Sequence, residues 1–148
     1  MASATEKVSD LQMRFDNESH AGGKIKILEK LGEAQSAAAT HAQQESDYVS
    51  IAFIFEKYRD NVRTAFDLLK KQQPDADKHP EGYRHLELQV RRGIREVEEI
   101  IIIVPQEVRP PLQIVREDLL HIDDELIQIL FPSPAKQKSS MPSKELKS

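Results

Sequence analysis

Glu117, Asp118, His121, Asp124 and Glu125 come closest, by type and spacing, to a set of groups that could do chemistry. Separations of three and four residues put carboxylates and an imidazole on neighbouring turns of one helix face, the pattern with which helical bundles hold paired iron or manganese ions. Such sites use the pattern twice, with further inward-facing glutamates, and no other histidine of this chain follows an acidic residue by three. His121 also stands beside an apolar seam rather than within it, so no metal is expected. Ser9, Ser19, Ser36, Ser46 and Ser50 occupy polar or capping positions without a glycine-flanked nucleophile elbow. Gly22-Gly23-Lys24 lacks the spacing and the following Ser or Thr of a phosphate loop, and a helix beginning after two glycines explains it. The chain has no cysteine, which excludes disulfides, thiolate nucleophiles and zinc sites with sulfur ligands. The expectation is a non-catalytic chain with no cofactor.

Two other groups of residues are suited to contact. Ile51, Phe53, Ile54 and Phe55 make one helix apolar around much of its girth for two turns, which calls for either a surrounding core or a partner helix over the excess. Arg84, Arg91, Arg92 and Arg95 lie on the helix that follows, and the acidic set around His121 lies on the next. Opposite signs on consecutive antiparallel helices would set their pairing. Alternatively, Arg91, Arg92 and Arg95 form a basic patch for an acidic partner such as a tubulin tail or a phosphorylated segment. The expected contact surface is Ile51, Phe53, Ile54 and Phe55 as anchors, with Arg91, Arg92 and Arg95 as its charged rim.

These residues need helices to position them, and the apolar spacing supplies the helices. Val8, Leu11 and Phe15 predict a short helix over residues 5–17, with Thr5 as a cap and the stretch His20-Ala21-Gly22-Gly23 as its interruption. Residues 24–73 contain no proline and read as two helices joined near Ser46, because His41, Gln44 and Glu45 break the seam of Ile27, Leu28, Leu31, Ala34 and Ala38 before Ser46-Asp47 offers a new cap. The first of the two has a seam of alanine and glutamine (Gln35, Ala37, Ala38, Ala39), buries little area and is expected to dock weakly on its own. The second carries Tyr48, Ile51, Phe55, Tyr58, Val62, Ala65 and Leu69 at alternating spacings of three and four.

After a polar linker at residues 74–80, with Pro80 in a first turn and Asp77 or His79 as cap, the chain turns back. Tyr83, Leu86, Val90, Ile94, Val97, Ile101 and Val104 form the next seam, and the apolar run from Ile100 to Val104 reads as a deeply buried helix end stopped by Pro105. Leu112, Val115, Leu119, Ile122, Leu126 and Ile129 form the last seam, ending at Pro132. Residues 132–148, rich in Ser, Pro and Lys, bury too little to offset the entropy of ordering, and Ser133-Pro134 is a candidate phosphorylation site only by composition.

Charge is uneven: residues 1–131 hold 17 basic and 24 acidic side chains, while residues 132–148 hold 4 and 1. An acidic body without aromatics interleaved in a basic stripe argues against nucleic acid as a partner. The longest apolar run is five residues where a membrane span needs roughly twenty, so no span is expected. Residues 1–20 lack the apolar core of a secretory signal, which leaves Asn17-Glu18-Ser19 without a use as a glycosylation site and gives a cytoplasmic or nuclear location as the expectation.

The helix pair joined at Ile103-Val104-Pro105-Gln106-Glu107-Val108 resembles those of focal-adhesion-targeting-type bundles, and the charged antiparallel helices are similar in style to tubulin-folding cofactor A. Both resemblances fall within residues 80–130 and imply helical bundles that bind other proteins, with no functional residue carried over. The whole reads as an all-α, up-and-down bundle of three or four helices with coiled-coil-like seams over residues 24–131. A flexible segment at 1–23 with a short helix precedes it, and a disordered basic tail at 132–148 follows. The expected role is a helical adaptor or small subunit of an assembly, acting on a protein partner or on further copies of itself. The alternative is a self-contained bundle that binds a metal ion or a small apolar ligand.

Overall fold

A computed structural model of the chain describes residues 4–132. It holds five helices: α1 (Ala4–Asn17), α2 (Ala21–Gln44), α3 (Tyr48–Gln72), α4 (Glu81–Ile103) and α5 (Arg109–Leu130), with a single 3₁₀ turn at Gln106–Val108. The count corrects the expected three or four. The periodic apolar residues form one continuous core, from Leu28 and Leu31 in α2, through Ile51, Val62 and Leu69 in α3 and Leu86, Val90 and Val97 in α4, to Leu112, Leu119 and Leu126 in α5.

Each break in the chain has a local cause. At Ser46 the backbone is left-handed (φ 57°), and Asp47 caps α3 by accepting from the Ser50 amide at 3.2 Å and the Ser50 hydroxyl at 2.6 Å. The glycine pair does not interrupt anything, since Gly22 and Gly23 lie in the first turn of α2. A Cβ on Gly23 would collide with the Glu18 carboxylate, which settles over the positive end of that helix. Between α3 and α4, Asp75 rather than Asp77 or His79 organises the linker, its Oδ1 accepting from the amides of Asp77 (3.1 Å) and Lys78 (3.3 Å). Pro80 takes the N-cap position of α4. At the other end of α4 the guanidinium of Arg109 donates to the carbonyls of Val104 (3.2 Å) and Ile102 (3.4 Å), satisfying carbonyls the helix leaves open.

α2 and α3 pack as one antiparallel hairpin and α4 and α5 as another, and the two hairpins lie side by side. α3 runs alongside α5 in parallel, with Arg59 on Asp118 and Lys70 on Glu125. α2 runs alongside α4 in parallel, with Glu29 on His85 and Glu33 on Arg92. α3 and α4 therefore stand at opposite corners, although they follow one another in sequence. Tyr58 reaches across that diagonal: its ring enters a notch between Gly32 and Gly93, and its hydroxyl donates to the Gln89 carbonyl at 3.0 Å. Burial raises its phenol pKa well above the ordinary range.

α1 packs on the outside of α2 with Leu11 and Phe15 buried. Gln12 and Asn61 exchange two amide hydrogen bonds at 3.0 and 2.9 Å, tying α1 to α3. The buried Lys24 ammonium donates to the Phe15 carbonyl and lies 4.1 Å from the Phe15 ring centroid. Burial lowers the Lys24 pKa, against the opposing pull of Asp16 and Glu18. Gln72 closes the same end, accepting from the Ala21 amide and donating to the Ser19 carbonyl, both at 2.8 Å.

One further expectation is corrected here. The alanine-rich α2 packs against α1, α3 and α4. The run Ile100 to Val104 is helical through Ile103 but not deeply buried. Val104 is enclosed, Ile100 and Ile101 are half-buried, and Ile102 and Ile103 face solvent, because a helix needs neighbours on all sides to bury an all-apolar turn and α4 is covered on only part of its girth at this end. The proposed tail and its Ser133-Pro134 lie outside the described residues except for Pro132.

Candidate functional site

The seven residues expected to make contact are not brought together. Ile51 and Phe55 are enclosed in the core of the α2–α3 hairpin, because the heptad-like seam turns them toward α2, α4 and α5. Ile54 is half-buried, and Phe53 points outward, 67 % exposed. The anchor side of the expected surface thus reduces to Phe53, with Val49 one turn earlier at 83 % exposed. Arg91, Arg92 and Arg95 lie on the solvent side of α4. Since α3 and α4 occupy opposite corners, Phe53 and the arginines face away from each other, and one partner helix cannot lie on both.

The arginines also differ among themselves. Arg91 grips both oxygens of Glu87, one turn earlier on α4. Arg92 lies 3.3 Å from Glu96 and 3.6 Å from Glu33 of α2. Arg95 makes no ion pair among the described residues. Pairing of arginines on α4 with acids on α5 is not what joins these two helices: their direct ion pair has the signs reversed, Arg116 of α5 on Glu98 of α4 at 2.7 Å. The acids of α5 instead serve α3, where Asp118 receives Arg59 at 3.1 Å and Arg63 at 3.2 Å. Pairs this exposed contribute roughly 0 to 1 kcal/mol each and act chiefly on register.

Sequence reasoning missed several exposed apolar positions that share one end of the bundle but are spread over three helices. α3 and α5 start there and α4 ends there, and Ile102 (75 % exposed), Ile103 and Ile114 stand outside the core on that end together with Val49 and Phe53. The parallel register set by Arg59 and Asp118 brings Ile114 level with the second turn of α3. The signal in the sequence was the width of the apolar stripes. A run such as Ile100 to Ile103 exceeds what one seam can bury.

A second missed feature lies between α4 and α5. Glu87 is only 4 % exposed, and Asp123 of α5 comes within hydrogen-bonding reach of it. Burial, then the Glu87 carboxylate, push the Asp123 carboxyl up to about 7. The spacing signal for this pair was absent, since each residue sits at the margin of its own seam.

The acidic set around His121 is dispersed. Asp118 and Glu125 turn toward α3, His121 is exposed, and no three His, Asp or Glu groups converge to hold a metal among the described residues. Beside Tyr58, between Gly32 and Gly93, lies a crevice of about 20 Å³, room for about one water. No helix among the described residues is long and apolar enough to cross a membrane. No protein-family model matches the chain, and neither a curated protein nor a solved structure matches it. The resemblance of residues 80–130 to focal-adhesion-targeting-type bundles and tubulin-folding cofactor A is thus not supported by these comparisons.

Proposed function

We propose that this chain is a non-catalytic helical adaptor or small subunit of a multi-protein assembly, acting through helix-on-helix packing within the cytoplasm or nucleus. The observation that carries the reading is the presence of large apolar side chains in solvent toward one end of the bundle: Val49 and Phe53 on α3, Ile102 and Ile103 on α4, and Ile114 on α5. Side chains of this size stabilise an interface by roughly 1.5 to 3 kcal/mol each when fully covered, and the outward ring of Phe53 is a suitable anchor. The partner is a protein or a further copy of the chain. Arg91, Arg92 and Arg95 of α4 lie on another face and serve as a separate, weaker electrostatic contact, with Arg95 the one of these three that holds no acid of its own among the described residues.

The mass of the purified chain by light scattering over a dilution series tests the reading, combined with photo-crosslinking from benzoylphenylalanine placed at position 53. Self-association that Phe53→Asp abolishes without loss of the helical circular-dichroism signal, or a discrete crosslinked product from position 53 that Val49→Asp abolishes, supports it. A monomer at every concentration that yields no product from position 53 beyond the background of an exposed site on α1 ends it.

A further inference from the structure

Asp123 presents an unusual combination. Its Oδ1 atom is buried and receives no hydrogen bond from any N–H or O–H among the described residues. What faces it is another acceptor, the Glu87 carboxylate, whose two oxygens are already committed to the Arg91 guanidinium. A buried carboxylate oxygen beside a second carboxylate is strongly disfavoured unless one of the two carries a proton and donates it to the other.

We propose that Glu87 and Asp123 form a proton-binding site across the α4–α5 interface, in which a protonated Asp123 donates to ionised Glu87 and so clamps the hairpin, and loss of that proton loosens it. Arg91 donates to both Glu87 oxygens, so the proton of the pair sits on Asp123, whose carboxyl stays raised against the opposing pull of Arg91. The other charges around the site do not relieve it. On its own helix Asp124 adds a like charge. From α3, the cations Arg59, Arg63 and Lys70 face α5 on its other flank, at Asp118 and Glu125.

The sign follows from linkage. Because burial and Glu87 raise the Asp123 pKa from 3.8 to about 7, the folded chain binds a proton that the unfolded chain has released over that range. The contribution of the clamp is complete below the lower value, falls as pH rises through the range, and is gone above the upper one. This slope is opposite to that of ordinary salt-bridged carboxylates, which gain as pH rises from acid.

Thermal melts of the full chain and of its Asp123→Asn variant between pH 5 and pH 8 test the proposal, since Asn donates to Glu87 at every pH. The melting temperature of the variant minus that of the wild type should grow by several degrees, about 5 °C, from the acid to the alkaline end. Titration of the wild-type Asp123 carboxyl by ¹³C NMR should show a midpoint near neutrality that drops on Glu87→Gln, and this readout stands even where the Asn variant fails to fold. A constant difference between the two melts, or an Asp123 midpoint in the ordinary carboxylate range near 4, overturns the site.

Discussion

Phe15 and Phe53 are the same residue on two helices of one chain, and they meet opposite fates. Phe15 is 1 % exposed and Phe53 is 67 % exposed. At the end of the bundle where α1 turns into α2, an additional helix covers the α2–α3 hairpin, an amide pair fixes it, and Lys24 and Gln72 satisfy the carbonyls of the turn. At the other end no helix among the described residues lies over Val49, Phe53, Ile102, Ile103 and Ile114, and they stay in solvent. Whether an apolar stripe becomes core or surface is decided by what else the chain lays over it, and not by the stripe.

The sharpest way to break this contrast is to truncate both rings. Phe15→Ala removes a filled core position and should destabilise the chain by about 3 to 5 kcal/mol in urea unfolding, whereas Phe53→Ala should stay within about 0.5 kcal/mol of the parent. Comparable losses at the two sites would mean that Phe53 is covered within the chain. A smaller effect probes the diagonal that joins the hairpins. A Cβ at Gly93 would sit 2.5 to 2.9 Å from ring and hydroxyl atoms of Tyr58. Gly93→Ala should therefore cost about 1 to 3 kcal/mol net of the gain in helix propensity, with a shift in the near-ultraviolet tyrosine signal; an unchanged melt would show that Tyr58 moves aside freely. Smallest is the loop joining α2 and α3, where Ser46→Gly relieves the left-handed backbone and should stabilise by about 0.5 to 1 kcal/mol. Destabilisation there would mean that the serine hydroxyl contributes more than the backbone strain costs.

Much of the fold was legible because helical periodicity is a local property. The seams of Ile51 to Leu69, Tyr83 to Val97 and Leu112 to Leu126 are core positions, and Ser46-Asp47 marks the break between α2 and α3 with Asp47 as the cap. The candidate contact surface was less legible. Ile51 and Phe55 share the periodicity of a core and belong to it, and Phe53 and the arginines of α4 were grouped by chemistry although they lie on faces that the fold turns apart.

What the sequence determined by itself was the helical type of each segment, the break at Ser46-Asp47 and the core seams of α3, α4 and α5, because propensity, capping and spacing act over a few residues. The tertiary structure alone decided which helices are neighbours, and everything that depends on it. That includes the diagonal placement of α3 and α4, the glycine notch that admits Tyr58, the cover over Phe15, and the meeting of Glu87 with Asp123. These arise from packing between segments far apart in the chain, where the identity of the neighbour, and not of the residue, sets burial and charge.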